Sequence, residues 1–289
     1  MQGLGVPLAT PFDDDGDVDH DALGALAEWV TDRGVDFLVP CGSNSEAELL
    51  TADERTAVVE TVADAAPDDV PVLAGTGAPG LRETLELTEG AAGAGADGAL
   101  VVTPFYFDHG DDDVAAYYRA VADDAPIPVF LYSVPKYTGY TLPPAVAGDL
   151  ADHPNVAGMK DSGGDLAAFQ RTRARTADAD FDLLVGSGGV FAPALDAGAD
   201  GGVLALANVA PEVASEILDA HRSGDDDRAR NLNRAAVDLN HAVTAGHGVA
   251  GLKAAMRSRG APAGTVRSPH RPVDDDTAAD LAALVDDAL

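Results

Sequence analysis

Basic residues are scarce in this 289-residue chain: 3 Lys and 15 Arg stand against 39 Asp and 10 Glu, a formal net charge of −31. A field of that sign repels nucleic acid and anionic membrane at moderate salt, so neither is an expected partner. Self-repulsion on this scale loosens a compact chain unless counterions screen it, which points to a halophilic protein in a cytosol of very high salt. Cysteine is reduced to Cys41 alone, and a single thiol excludes an internal disulfide framework. No apolar run approaches the ~20 residues needed to span a bilayer. The opening MQGLGVPLATPF has no charged start, long apolar stretch or cleavage site. The expectation is a soluble, cytoplasmic chain.

What the sequence has instead is punctuation. Eight short apolar runs recur about every 25 to 30 residues: GVPLAT from Gly5, VDFLVPCG from Val35, VPVLAGTG from Val70, GALVVTPF from Gly98, IPVFLYSV from Ile127, VAGMKDS from Val156, FDLLVGSG from Phe181 and GGVLALAN from Gly201. Segments with helical spacing lie between them, such as HDALGALAEWVTDRG, and TADERTAVVETVADAAP, where Thr51 is an N-cap candidate with Glu54 three residues on. Continuous apolar strands alternating with helices mean a parallel sheet covered on its faces. Eight such units at this length predict an α/β fold, a closed (β/α)8 TIM barrel. A doubly wound open sheet is the runner-up, weakened because no GxGxxG turn follows the first run. The barrel is expected over residues 1–223 and a C-terminal helical extension packed on it over 224–289, the whole forming one structural domain.

Barrel enzymes work at the C-terminal ends of their strands, so the residues that end each run carry the chemistry. These ends hold small and hydroxylic groups, Thr10, Ser43, Thr76, Thr103, Ser133, Ser187 and Asn208, with one lysine, Lys160, among them. No His, Cys and carboxylate set converges there, and His241 and His247, six residues apart, do not stack on one helix face, so no metal is expected. A lysine among apolar neighbours is disfavoured as ammonium and can attack a ketone to form a Schiff base, whose imine stabilises an enamine. That chemistry suits aldol or dehydration reactions of 2-oxo acids with no separate cofactor. A salt bridge to Asp161, or a lysine reaching solvent, is the competing structural reading.

The motifs MKDSGGD, GSNSE and YSVP with a following TG resemble the lysine aldolase family that includes dihydrodipicolinate synthase, N-acetylneuraminate lyase and 2-keto-3-deoxygluconate aldolase, and the similarity runs over nearly the whole chain. The resemblance implies that Lys160 is the Schiff-base nucleophile and that Tyr132 moves the proton at the bond made or broken. It implies that Ser43, with the Gly42 to Asn44 amides, binds the 2-oxo acid carboxylate. Tyr106 matches the aromatic that the family sends across a dimer interface, within a homotetramer built as a dimer of dimers. Gly186 and Leu204 match positions lining the pyruvate end.

The departures bear on the substrate. Asn44 stands where the family has a second threonine, and an amide does not pass a proton as a hydroxyl does. Tyr137 stands where dihydrodipicolinate synthases that resemble this chain carry an arginine for the second substrate's carboxylate, and it cannot form that bidentate pair. A polyol tail would instead find Tyr137, Asn44 and Ser187. The reading is therefore a class I aldolase that cleaves a 2-keto-3-deoxy sugar acid, 2-keto-3-deoxygluconate or its 6-phosphate, to pyruvate and glyceraldehyde or its 3-phosphate. Arg82, Lys136, Arg267 and Arg271 are the candidate phosphate partners. The alternatives are dihydrodipicolinate synthase-type condensation of pyruvate with aspartate semialdehyde, a dehydratase on the same imine, and, last, a barrel that binds a 2-oxo acid without turnover.

Overall fold

The computed structural model describes residues 1–289. Strand and helix alternate from the start: β1 (Gly3–Val6), α1 (His20–Thr31), β2 (Phe37–Leu38), α2 (Ala52–Ala65), β3 (Leu73–Gly75), α3 (Leu81–Gly93), β4 (Gly98–Val102) and α4 (Asp111–Asp124). Then come β5 (Val129–Ser133), two helices, α5 (Pro135–Thr138) and α6 (Pro144–Ala151), and β6 (Val156–Asp161) with α7 (Leu166–Arg175). β7 (Asp182–Val185), α8 (Phe191–Asp196), β8 (Gly201–Val203) and α9 (Pro211–Arg222) follow. The strands lie parallel in the order β2-β1-β8-β7-β6-β5-β4-β3, and a parallel bridge from Leu38 to Val72 joins the two ends. The sheet is thus a closed eight-stranded barrel, as the eight apolar runs predict. β1 starts two residues before its expected run, because Gly3 to Gly5 pair with Gly201 to Val203 of β8.

Strand alternation sorts the apolar side chains into two populations. Phe37, Val39, Leu73, Leu100, Phe130, Tyr132, Val134, Leu184 and Val203 fill the barrel interior. Their alternates, among them Leu38, Val101, Leu131, Met159, Leu183 and Leu204, join a larger cluster under the helices. The local start signals hold as well. Thr51 caps α2 by accepting from the Glu54 amide at 3.3 Å, while the Glu54 carboxylate accepts from the Thr51 amide at 2.8 Å.

Beyond α9 the chain continues through α10 (Asp226–Ala235), α11 (Val237–His241), a wide turn closed by the His247 amide on Ala242 O at 2.8 Å, α12 (Gly248–Ser258) and α13 (Asp275–Ala288). α12 falls within the expected helical extension although Gly248 and Gly251 dilute its pattern; it forms by burying Leu252, Lys253, Ala254, Ala255 and Met256. Leu252, Met256, Leu281 and Val285 from these helices belong to the same apolar cluster as the barrel's outer face.

Candidate active site

β5 and β6 run in register, with Tyr132 beside Lys160 and Lys160 beside Leu184 of β7. All three side chains therefore point into the barrel, near the C-terminal ends of their strands. Lys160 is 4% exposed and its Nζ lies 4.3 Å from the centre of the Tyr132 ring. It forms no ion pair. Asp161 takes the opposite side of β6, where its carboxylate accepts from the Gly163 amide at 2.7 Å and burial raises its pKa. The competing reading of a Lys160–Asp161 bridge is not what the structure contains.

The loop after β2 supplies the facing wall. Cys41 (φ 57°) and Glu46 (φ 56°) both adopt left-handed backbone, and between them Gly42 to Ser45 close a tight turn, the Ser45 amide donating to Gly42 O at 3.1 Å. The Ser43 hydroxyl thereby comes to 3.4 Å from the Tyr132 phenol. Cys41 itself is buried, and desolvation pushes its thiol up to about 12, so it is not a nucleophile here.

Underneath the turn, Glu46 is held from the far end of the chain. Its fully buried carboxylate meets Lys253 Nζ at 2.6 Å, the His270 ring at 2.9 Å and the Arg267 amide at 3.1 Å. Lys253 also donates to the carbonyls of Thr10 and Thr265, each at 2.6 Å. Burial lowers its pKa to about 8, against the raising influence of Glu46. The Arg267 guanidinium is bound to both oxygens of Glu54, at 2.6 and 2.9 Å, so it is not available as a phosphate partner. Arg82 stands exposed at the start of α3, apart from both chambers described next.

Two adjoining chambers open at this end of the barrel. The smaller, about 200 Å³, holds Lys160 with Ser43, Asn44, Tyr132, Tyr137, Gly186 and Ser187. The larger, about 510 Å³, contains Gly42 and again Ser43, Tyr132 and Tyr137. Gly186 keeps space beside the lysine, because a Cβ there would sit 1.9 Å from Ser162 Oγ and 3.1 Å from Lys160 Cε, so that these side chains would have to shift. The structure thus brings together Lys160, Tyr132, Gly42, Ser43, Asn44, Tyr137, Gly186 and Ser187. It does not bring Leu204 to them. Leu204 turns outward into the cluster under the helices, and its neighbours Val203 and Ala205 line the smaller chamber instead. In a strand of period two, adjacent residues face opposite sides, so the expected position is off by one. Tyr106 lies outside both chambers of its own chain, 86% exposed at φ 80°, with its ring edge-on to Phe107.

Sequence reasoning misses Ser162 and Asn240. Asn240, on α11, is 8% exposed, lines the smaller chamber and has a side-chain oxygen with no hydrogen-bond partner. The available signal was a polar residue on a helical face otherwise made of Leu239, Ala242 and Val243. Asp196, His221 and Asp226 bring ligand atoms within 4.8 Å of one another on α8 to α10, but Arg230 already bonds Asp196 at 3.1 Å.

The dihydrodipicolinate synthetase family model matches residues 1–288. A DapA-like lyase of Halobacterium salinarum is 40% identical over 283 residues, 98% of this chain and 92% of the relative. The 4-hydroxy-tetrahydrodipicolinate synthase of Natronomonas pharaonis is 38% identical over 271 residues, 94% of this chain and 92% of the relative. Both relatives come from halophiles. Among solved structures, a prophage protein of the dihydrodipicolinic acid synthase family from E. coli K12, in complex with pyruvate, superposes with a TM-score of 0.94 at 33% identity, covering 100% of this chain and 98% of that one. With the barrel and its buried lysine, these matches establish that the chain belongs to the dihydrodipicolinate synthetase family and is an enzyme, a pyruvate-dependent lyase of the Schiff-base type.

Proposed function

We propose that Lys160 carries pyruvate as a Schiff base and that the resulting enamine adds to an aldehyde. The observation that carries this reading is a buried lysine with no ion-pair partner, 4.3 Å from the Tyr132 ring, in a chamber that also holds Ser43. Lys160 Nζ attacks the C2 carbonyl, water leaves, and loss of a C3 proton gives the enamine. C3 then attacks the aldehyde carbon. The Tyr132 phenol, next to Ser43, delivers a proton to the oxygen that becomes the new hydroxyl, and water then hydrolyses the product imine to free Lys160. Donors of the Gly42 to Asn44 turn hold the pyruvate carboxylate. Run backwards, the same steps cleave a bond between C3 and C4 of a 4-hydroxy-2-oxo acid. Tyr106, exposed and outside the chambers of its own chain, fits a role in a second copy, in line with a family-type tetramer built from tight dimers.

The names of the relatives favour aspartate semialdehyde as the aldehyde, so the condensation of dihydrodipicolinate synthases replaces sugar-acid cleavage as the first reading. Tyr137 favours the second: it stands 55% exposed at the boundary of both chambers and offers a hydroxyl where a charged tail would want a cation. A comparison of aspartate semialdehyde, glyceraldehyde and glyceraldehyde 3-phosphate as acceptors with pyruvate decides between them. Preference for the semialdehyde by at least about a hundredfold in kcat/KM supports synthase chemistry. A similar preference for either glyceraldehyde returns the enzyme to keto-deoxy sugar acids.

A further inference from the structure

We propose that Arg271 binds the anionic end of the aldehyde reactant, a carboxylate or a phosphate, in the larger chamber. The inference rests on the reading that Lys160 carries pyruvate. A chamber of about 200 Å³ is smaller than the ~300–1,000 Å³ usual for ligand sites and suits a three-carbon acid. The aldehyde's tail has an adjacent space of about 510 Å³, divided from the first by shared residues, Ser43, Tyr132, Val134, Tyr137, Gly248 and Val249.

The charges facing that space do not balance. Glu46 is neutralised by Lys253 at 2.6 Å, and Glu48 by Arg55 at 3.2 Å. Arg271 lines the same chamber, as do His247 and His270, and makes no ion pair, whereas His270 is held on Glu46. In a chain of net charge −31, an arginine left without a carboxylate at a reactant chamber is a vacant anion partner. Lys136, the other candidate, donates to Thr244 O at 3.2 Å and borders the smaller chamber.

Arg271 is also presented by a fixed loop. Two residues just before it are tied to Glu46, the Arg267 amide at 3.1 Å and the His270 ring at 2.9 Å, and the Arg267 side chain is clamped on Glu54. The side chain itself is exposed, so screening limits its effect, and the expected magnitude is about two- to fivefold rather than that of a buried pair.

The test measures kcat/KM for aspartate semialdehyde and glyceraldehyde 3-phosphate, each divided by that for neutral glyceraldehyde, in wild type, Arg271→Gln and Lys136→Gln at one fixed KCl concentration. Pyruvate adduct formation on Lys160 is followed in parallel. A fall of about two- to fivefold in the semialdehyde ratio of Arg271→Gln assigns a carboxylate, and the same fall in the 3-phosphate ratio assigns a phosphate. The proposal is overturned if both ratios are unchanged in Arg271→Gln, if only Lys136→Gln lowers them, or if wild type forms the adduct yet turns over neither anionic aldehyde. Absence of the adduct in wild type instead removes the underlying reading, and the proposal with it.

Discussion

Replacing Lys253 by Met probes the link between the C-terminal helices and the turn that faces Lys160. The ammonium group makes three contacts at 2.6 Å, to Glu46 and to the carbonyls of Thr10 and Thr265, and its side chain is 0% exposed. Met keeps the volume and removes the charge, leaving Glu46 buried with only His270 and the Arg267 amide. Breaking one side of a buried pair costs about 3–5 kcal/mol. At roughly 2–4 °C per kcal/mol for a chain somewhat below this size, the melting temperature falls by about 6–20 °C. Glu46 lies two residues after Asn44, so KM for pyruvate rises in the fraction that stays folded. Thermal melts at fixed KCl, followed by circular dichroism, supply the measurement. A Lys253→Met, Glu46→Gln double variant recovers more than half of the loss, because no charge is left stranded. A single-variant loss under about 1 kcal/mol, or a double variant that merely adds the two losses, would falsify this account of the buried pair.

Three shorter predictions accompany it. Gly186→Ala slows adduct formation with pyruvate by at least about tenfold by crowding Lys160 Cε, and adding Ser162→Gly restores much of the rate; an unimpaired single variant contradicts the fit at that position. Arg267 holds the Glu54 carboxyl down at about 2 from its usual 4.5, so the stability it contributes is complete above pH 4.5 and lost as pH falls toward 2. The stability gap between wild type and Glu54→Gln should close over that interval in urea titrations, and a gap independent of pH refutes the linkage. The melting temperature should climb as KCl goes from about 0.1 to 2 M, since counterions relieve the repulsion among exposed Asp residues; a flat or falling curve rejects high-salt adaptation.

The barrel was legible because its signal is local: each apolar run between turn residues contains a strand, and Thr51 with Glu54 announces α2 correctly. Motif residues at strand ends were legible for the same reason, and Lys160, Tyr132 and Ser43 do meet. Leu204 was misplaced because β8 is three residues long, Gly201–Val203, and two of them are glycine, too short and too bare for inward and outward positions to be counted. Nothing in the pattern joins Glu46 to Lys253, 207 residues later, or Glu54 to Arg267, because partners across a fold leave no spacing in the sequence. Glu54 read alone is a capping residue; in the fold it also fixes the loop that carries Arg271. Asn240 was hidden in a helical pattern, where a single polar residue on an apolar face carries no directional label.

The most direct test of the central claim is reductive trapping. Incubation with pyruvate and borohydride, followed by intact-mass and peptide mapping, should fix one three-carbon adduct per chain on Lys160 and none on a Lys160→Ala variant. An unmodified wild-type chain, or an adduct on Lys136 or Lys253, would contradict the assignment of Lys160 as the nucleophile.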